Sequence, residues 1–397
     1  MSDSPQRFSP LVKTLHNAAA SGWDTHFRAQ QAVADGEEGI IILTVGDPDL
    51  PTPAPVVEKA VSALREGDTR YAPVKGSHEL REAIAIDIAN RTGLEIGVDN
   101  VIVTAGTQAA LFGASVCLLG HGDEVVAFEP VFLTYVSTLT VGGAKLVRVP
   151  KPAEGVRPDI DALAAAITPR TRCLILTNPN NPTGIMLTAD ELAAIAELAI
   201  AHDLWVLSDE VYCDMSFAGP FRSIASVPGM AERTVIAGAL SKSHAMTGWR
   251  IGWAVGPKDL IDHIDGLQNI VSYGVPGFVQ QAALAAMTIH RDASESMRRT
   301  YLSRRDLAVS ILREVPGLSV LIPNAGMYLI FDVSDVADSS ARFCDELYAE
   351  KRVVALDAGL FGSSMQGWVR LAFTVPEDEL ADGCRRIADF VSERSTS

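Results

Sequence analysis

The chain has 397 residues, enough for two domains with separate cores. Hydrophobic residues make up 48% and charged residues 21%, the balance of a globular enzyme. A formal net charge of −16 argues against a general nucleic-acid binder, because phosphate backbones are held by clustered Lys and Arg.

The five cysteines (Cys117, Cys173, Cys213, Cys344 and Cys384) form no CxxC and sit among apolar or helical residues. That pattern predicts reduced thiols rather than disulfides or a metal site. The first residues hold no apolar core of signal-peptide length, and no apolar run reaches about 18 residues, so neither export nor a membrane span is expected. The expected compartment is the cytoplasm.

From about residue 98, short β-branched runs alternate with helical ones. "NVIVTAG" predicts a strand ending at Gly106, and "TQAALFGASVCLLG" the helix after it. "DEVVAFEP", "AKLVRVP" and "TRCLILT" predict three more strands, the last broken by the prolines of "NPNNPTG". "TADELAAIAELAIAHD" is a helix with an N-cap pattern at Thr188. "LWVLSDEVY", "RTVIAGAL" and "IGWAVG" complete about seven strands. Apolar strands separated by helices imply an α/β fold, with a mostly parallel sheet covered on both faces. Ligands bind such sheets beyond the carboxyl ends of the strands.

After about residue 290 the pattern changes. "SMRRTYLSRRDLAVSILREV" predicts a long charged helix, then come the strand "GMYLIFDV", a helix and two strands over "SSARFCDELYAEKRVVALDAG" and "GWVRLAFTV", and a last helix "EDELADGCRRIADFVSE". This is a smaller α+β unit. The expected division is an N-terminal arm over 1–45 that packs with it, a large domain over 46–290, and the small domain over 291–397.

The segment "ALSKSHAMTGWRIGW" places Lys242 and Arg250 between two strands destined for the core. A lone lysine in a loop is by base rate a surface residue. Here the apolar flanks, the nearby glycines and a second cation favour a depressed pKa and a nucleophilic amine able to form a Schiff base with a carbonyl. Arg250, between Gly248 and Gly252, suits a phosphate. A lysine beside a phosphate anchor is what a phosphorylated aldehyde cofactor needs, and pyridoxal phosphate fits that description.

Its ring nitrogen would require a carboxylate, and Asp209 ends a buried strand in "LSDEVY", where it could equally be a helix cap. Tyr212 and Asn181 are candidates for the ring's 3-oxygen, although "NPNNPTG" also reads as an ordinary turn. The amides of Thr107 and Gln108, at a predicted helix start, form a phosphate cradle.

Taken in order, "AGTQAAL", "NPNNPTG", "SDEVY" and "SKSHAMTGWRIGW", with "GDPDLPTP", "YAPVKGSHELREAI" and "GWVRLAF", resemble the class I/II aminotransferases of fold type I, over nearly the whole chain. The resemblance implies a pyridoxal-phosphate enzyme in which Lys242 holds the cofactor as a Schiff base and then moves the substrate α-proton. It implies that Asp209 pairs with the ring nitrogen, that Asn181 and Tyr212 hold the 3-oxygen, and that Phe132 stacks on the ring. It assigns the phosphate to Arg250, Thr107 and Gln108, with Tyr71 reaching in from the neighbouring subunit of a homodimer. Arg370 would clamp the substrate carboxylate, helped by the Gly46 backbone and Asn181.

One departure is Ala239, where the family often has a phosphate-binding Ser or Thr; Ser241 is the expected substitute. His244 reads as a supporting loop residue. No metal is implied. On this reading Lys242 and Arg250 should both be buried, one as an imine and the other against phosphate.

Transamination is favoured over β-elimination or decarboxylation by the combination of lysine and carboxylate clamp. "GWDTHFRAQQAVADGEEGIIILTVGDPD", "AHDLWVLSDEVY" and "SKSHAMTGWR" are most similar to the bacterial arginine–pyruvate transaminases. A cationic substrate would want a carboxylate, with Asp24, Asp47 and Asp49 as candidates. The alternatives are an aspartate or aromatic aminotransferase using 2-oxoglutarate, and a C–S β-lyase. A transcriptional regulator on the same fold would carry roughly a hundred extra N-terminal residues for DNA binding, and only about 45 precede "GDPDLPTP".

Overall fold

The computed structural model describes residues 23–288 and 292–395, so residues 1–22 of the N-terminal arm lie outside the described residues. The central sheet has seven strands. In spatial order they are Val101–Thr104, Gly252–Val255, Thr234–Ala239, Trp205–Asp209, Thr171–Thr177, Glu124–Phe128 and Lys145–Val149. All neighbours are parallel except Gly252–Val255, which runs antiparallel to both of its partners. The reason lies in its connection. Between Ala239 and Gly252 the chain makes turns and no crossover helix, and without a crossover a strand returns antiparallel.

Strand residues alternate between two cores. Val125 and Ala127 pack with Ala110, Leu111 and Ile261, from the helices Thr107–Leu118 and Lys258–Val271, while Val126 packs with Leu163 and Ile195, from Ile160–Ala166 and Ala189–Ala201. Both faces are thereby covered, which explains runs with no polar alternation. The helix Ala189–Ala201 starts with the expected capping box. Thr188 Oγ1 accepts from the Glu191 amide at 3.2 Å, and Glu191 Oε2 accepts from the Thr188 amide at 2.8 Å.

The C-terminal part holds an antiparallel sheet of Leu356–Asp357, Trp368–Ala372, Tyr328–Asp332 and Ser319–Leu321. It packs with the helices Asp292–Leu312, Ser340–Lys351 and Glu377–Ser395. The chain's beginning joins this core: Ile41–Ile42 pair in parallel with Val353–Val354, and Ile41 and Leu43 are buried in the same cluster. The next residues, 44–52, therefore run from the C-terminal core across the edge of the large sheet, where the strand ends converge.

Candidate active site

Thr177, Asp209 and Ala239 end three adjacent strands, so their carboxyl edge is shared with the turn carrying Lys242. A cavity of about 380 Å3 opens there, and its wall includes Lys242, Asp209, Tyr212, Asn181, Phe132, Ser241, Thr107, Gln108, Arg250, Gly46 and Arg370. Residues far apart in sequence, some singled out by their chemistry and others by the family resemblance, thus face one space.

Lys242 is half-buried and donates from Nζ to the Gly46 carbonyl at 2.6 Å. Gly46 is required here, because a Cβ would overlap the Tyr328 hydroxyl. Asp209 is buried, and its carboxylate accepts from the Tyr135 hydroxyl and from the Val211 amide at 3.1 Å. Burial pushes its carboxyl up to about 6, against the opposing pull of those two donors and the charge of Lys242. The Tyr212 hydroxyl lies 3.3 Å from that of Tyr328, and burial pushes its phenol well above the ordinary range.

Arg370 is 1% exposed and remains a cation. It donates from Nη1 to Asn181 Oδ1 at 3.0 Å and from Nη2 to the Thr44 carbonyl. Its guanidinium lies over the rings of Tyr328 and Phe361, at 4.3 and 5.0 Å. None of these partners is an anion, and Nε has no hydrogen-bond partner. A buried, uncompensated cation facing a cavity is costly unless an anion enters.

At the other side, the helix Thr107–Leu118 begins at Gly106 in the left-handed region, φ +84°, and a Cβ there would lie 2.6 Å from Arg250 Nη2. Thr107 Oγ1 is buried with no partner. Free amides, an unpartnered hydroxyl and a guanidinium make a cradle for a dianion. Arg250 is exposed rather than buried as expected from the sequence, and Lys242 is only half-buried. Arg250 donates to the Thr247 carbonyl at 2.7 Å and the Ala105 carbonyl at 3.3 Å, so backbone acceptors and solvent satisfy it at the cavity rim.

The remaining candidates divide. Ser241 is on the cavity wall and Ala239 is not. Tyr71 is 88% exposed, off this wall, with its ring 5.5 Å from that of Tyr273. His244 is buried beside Ser243 and lines a different cavity with Arg91 and Trp253. Of the acidic candidates, Asp24 lies in an outer depression with Phe27 and Arg28, and Asp49 is bound by both terminal nitrogens of Arg304. Asp47 is on the wall and accepts from Thr247 Oγ1 at 2.6 Å.

The family model for aminotransferase class I and II matches residues 38–387. The chain belongs to this family. It is 43% identical to arginine–pyruvate transaminase AruH of Pseudomonas aeruginosa, over 98% of both chains. It is 35% identical to aromatic-amino-acid aminotransferase 2 of Thermococcus litoralis, covering 91% of this chain and 94% of that one. Among solved structures, the aspartate aminotransferase from Thermus thermophilus with maleate superposes with a TM-score of 0.90 at 33% identity, over 96% of this chain and 99% of that one.

The aminotransferase also places in its cavity residues that the sequence did not single out: Tyr135 on Asp209, Tyr328 beneath Arg370, and Trp23 and Thr247 on the wall. Tyr135, three residues after Phe132, and Tyr328, inside "GMYLIFDV", lie in apolar stretches that read as plain core. Thr247 had a usable signal, since it lies between Lys242 and Arg250.

Proposed function

We propose that this aminotransferase uses pyridoxal phosphate, held through Lys242, to move the α-amino group of L-arginine to pyruvate in two alternating half-reactions. The observation that carries the reading is Arg370, a buried cation without a counter-ion, facing the same cavity as Lys242 and Asp209. The unpartnered Thr107 hydroxyl and the cradle at Gly106 suit the cofactor phosphate.

When bound, the cofactor supplies an aldehyde carbon and a protonated ring that draws electron density from the substrate α-carbon. Arg250 and the first amides of Thr107–Leu118 hold its phosphate, with Ser241 as a further donor. Asp209 would pair with the ring nitrogen and favour its protonated form; Asn181 and Tyr212 would hold the 3-oxygen, and Phe132 would pack against the ring. Arg370 takes the substrate carboxylate, oriented by Asn181 and the Thr44 carbonyl. Lys242 removes the proton from the substrate α-carbon, with its amine kept in place by the Gly46 carbonyl.

The cavity's cationic side chains support arginine over aspartate. Among the described residues they are Lys242, Arg250 and Arg370, each already assigned, so this chain offers a second substrate carboxylate no cation of its own. The name of the Pseudomonas relative points the same way.

The functional unit we propose is a homodimer with Tyr71 reaching the partner's phosphate, in keeping with its exposure here. Residues 46–290 would form the cofactor-binding domain, and 1–45 would pack with the small domain of 291–397. Five free cysteines suit a reducing compartment, the cytoplasm. No helix among the described residues is long and apolar enough to cross a membrane.

The test is the absorbance spectrum of the purified protein. A band near roughly 360–430 nm that vanishes on borohydride reduction is expected. L-arginine should convert it and pyruvate should restore it. Conversion by aspartate or phenylalanine but not by arginine would leave the chemistry standing and overturn the substrate.

A further inference from the structure

We infer that Trp23 determines specificity for the substrate side chain, its indole face serving as the platform on which a guanidinium stacks. The inference rests on the proposed arginine reading and names the group that reads the side chain.

A cationic substrate is ordinarily expected to meet a carboxylate, and the geometry does not provide one where it is needed. Among the described residues, the acids on the cavity wall are Asp47 and Asp209. Asp209 is held by Tyr135 and the Val211 amide at the strand end beside Lys242. Asp47 is bound to Thr247, whose carbonyl in turn receives Arg250, so it belongs to the anion-cradle side. Asp49 is occupied by Arg304, and Asp24 is outside the cavity.

The wall also carries Trp23. It lines the cavity and rests, with Phe132, on the cluster containing Phe361, the ring beneath Arg370. A chain of contacts fixes it relative to Arg370. The indole and the His26 ring meet at 76°, with centroids 5.5 Å apart; His26 Nδ1 is 2.7 Å from Thr44 Oγ1; and the Thr44 carbonyl accepts from Arg370. Trp23 and Arg370 thus line one cavity, so a substrate whose carboxylate is on Arg370 shares that space with the indole. Guanidinium, planar and weakly hydrated, stacks on aromatic faces better than a compact ammonium does.

Trp23→Ala, Trp23→Phe and Asp47→Asn, each loaded with cofactor, test this. The first half-reaction would be followed by absorbance with L-arginine and with L-alanine. Binding without chemistry would be read from the competition constants of 5-guanidinopentanoate and pentanoate. Trp23→Ala should lower kcat/KM for L-arginine about tenfold, and weaken guanidinopentanoate by a similar factor, while L-alanine and pentanoate change little. Trp23→Phe should recover most of the loss, and Asp47→Asn should keep the preference for arginine.

Equal losses for arginine and alanine would reduce Trp23 to packing and overturn the inference. So would a selective loss of arginine in Asp47→Asn, which would return the role to a carboxylate. A wild-type enzyme that ignores L-arginine would sink the substrate reading itself, a result separate from any variant.

Discussion

Asp209 and Glu210 are adjacent carboxyls buried at one strand end, and burial pushes the first up to about 6 and the second to about 7. Unfolded, they titrate near 3.8 and 4.5. Between those pairs of values the folded chain binds more protons than the unfolded one, so stability falls as pH rises through the window. The cofactor-free protein should therefore be more stable at pH 5.5 than at pH 7.5 as far as these groups contribute. Asp209→Asn, which has no charge to bury, should raise its unfolding free energy at pH 7.5 by about 2 kcal/mol, while lowering kcat of the loaded enzyme about 100-fold or more. Urea titration at the two pH values checks the first statement, and a higher stability at pH 7.5 in the wild type would contradict it. Tyr135→Phe removes a donor to the charged form and should carry the decline to higher pH. Asp209 was legible because a charged residue ending an apolar strand stands out. Tyr135 was not, because a phenol in an apolar stretch shows its role only once the strand ends are brought together.

The turn that cradles an anion depends on how closely three backbone segments approach. A Cβ on Gly252 would lie 2.7 Å from the Gly106 carbonyl carbon and from the Gly238 oxygen, and neither backbone atom can rotate away. Gly252→Ala should cost about 2–3 kcal/mol and weaken cofactor retention, because the strand and the Gly106 turn must separate. Thr188→Ala is the contrasting case. It removes the cap of a helix on the outer side of the sheet, should cost about 1 kcal/mol, and should leave the affinity for pyridoxal phosphate unchanged. Chemical denaturation and cofactor titration of both variants separate the two effects; equal cofactor affinity in Gly252→Ala would refute the link. The strands were readable from their apolar runs, and the cap at Thr188 from its spacing to Glu191. The reversed direction of Gly252–Val255 was not, since it follows from a connection that lacks a helix. The course of 44–52 over the site depends on pairings with residues far along the chain, such as Leu43 with Val354, which no local pattern encodes.

Taken as a single chain, the molecule exposes several large side chains beside one another. Tyr71 is 88% exposed, Ile270 82%, Val271 64% and Tyr273 59%, and the contact of Tyr71 with Tyr273 joins the two segments into one surface. The proposed homodimer would cover large exposed side chains grouped in this way. If the interface is a two-fold one, each site takes Lys242 from one protomer and Tyr71 from the other. Ile270→Asp should then give a folded monomer by sedimentation, with poor activity because Tyr71 is missing from its site. Mixing tests the sharing directly. Lys242→Ala and Tyr71→Ala homodimers, both nearly inactive, should form hybrids on refolding together. Each hybrid has one site bearing both substitutions and one bearing neither. Half of the dimers are hybrids and half of their sites are intact, so about a quarter of wild-type activity should return. If Tyr71 served its own chain, every hybrid site would carry one substitution and no activity would appear. A stable dimer without complementation would thus rule out the shared site while leaving the interface in place.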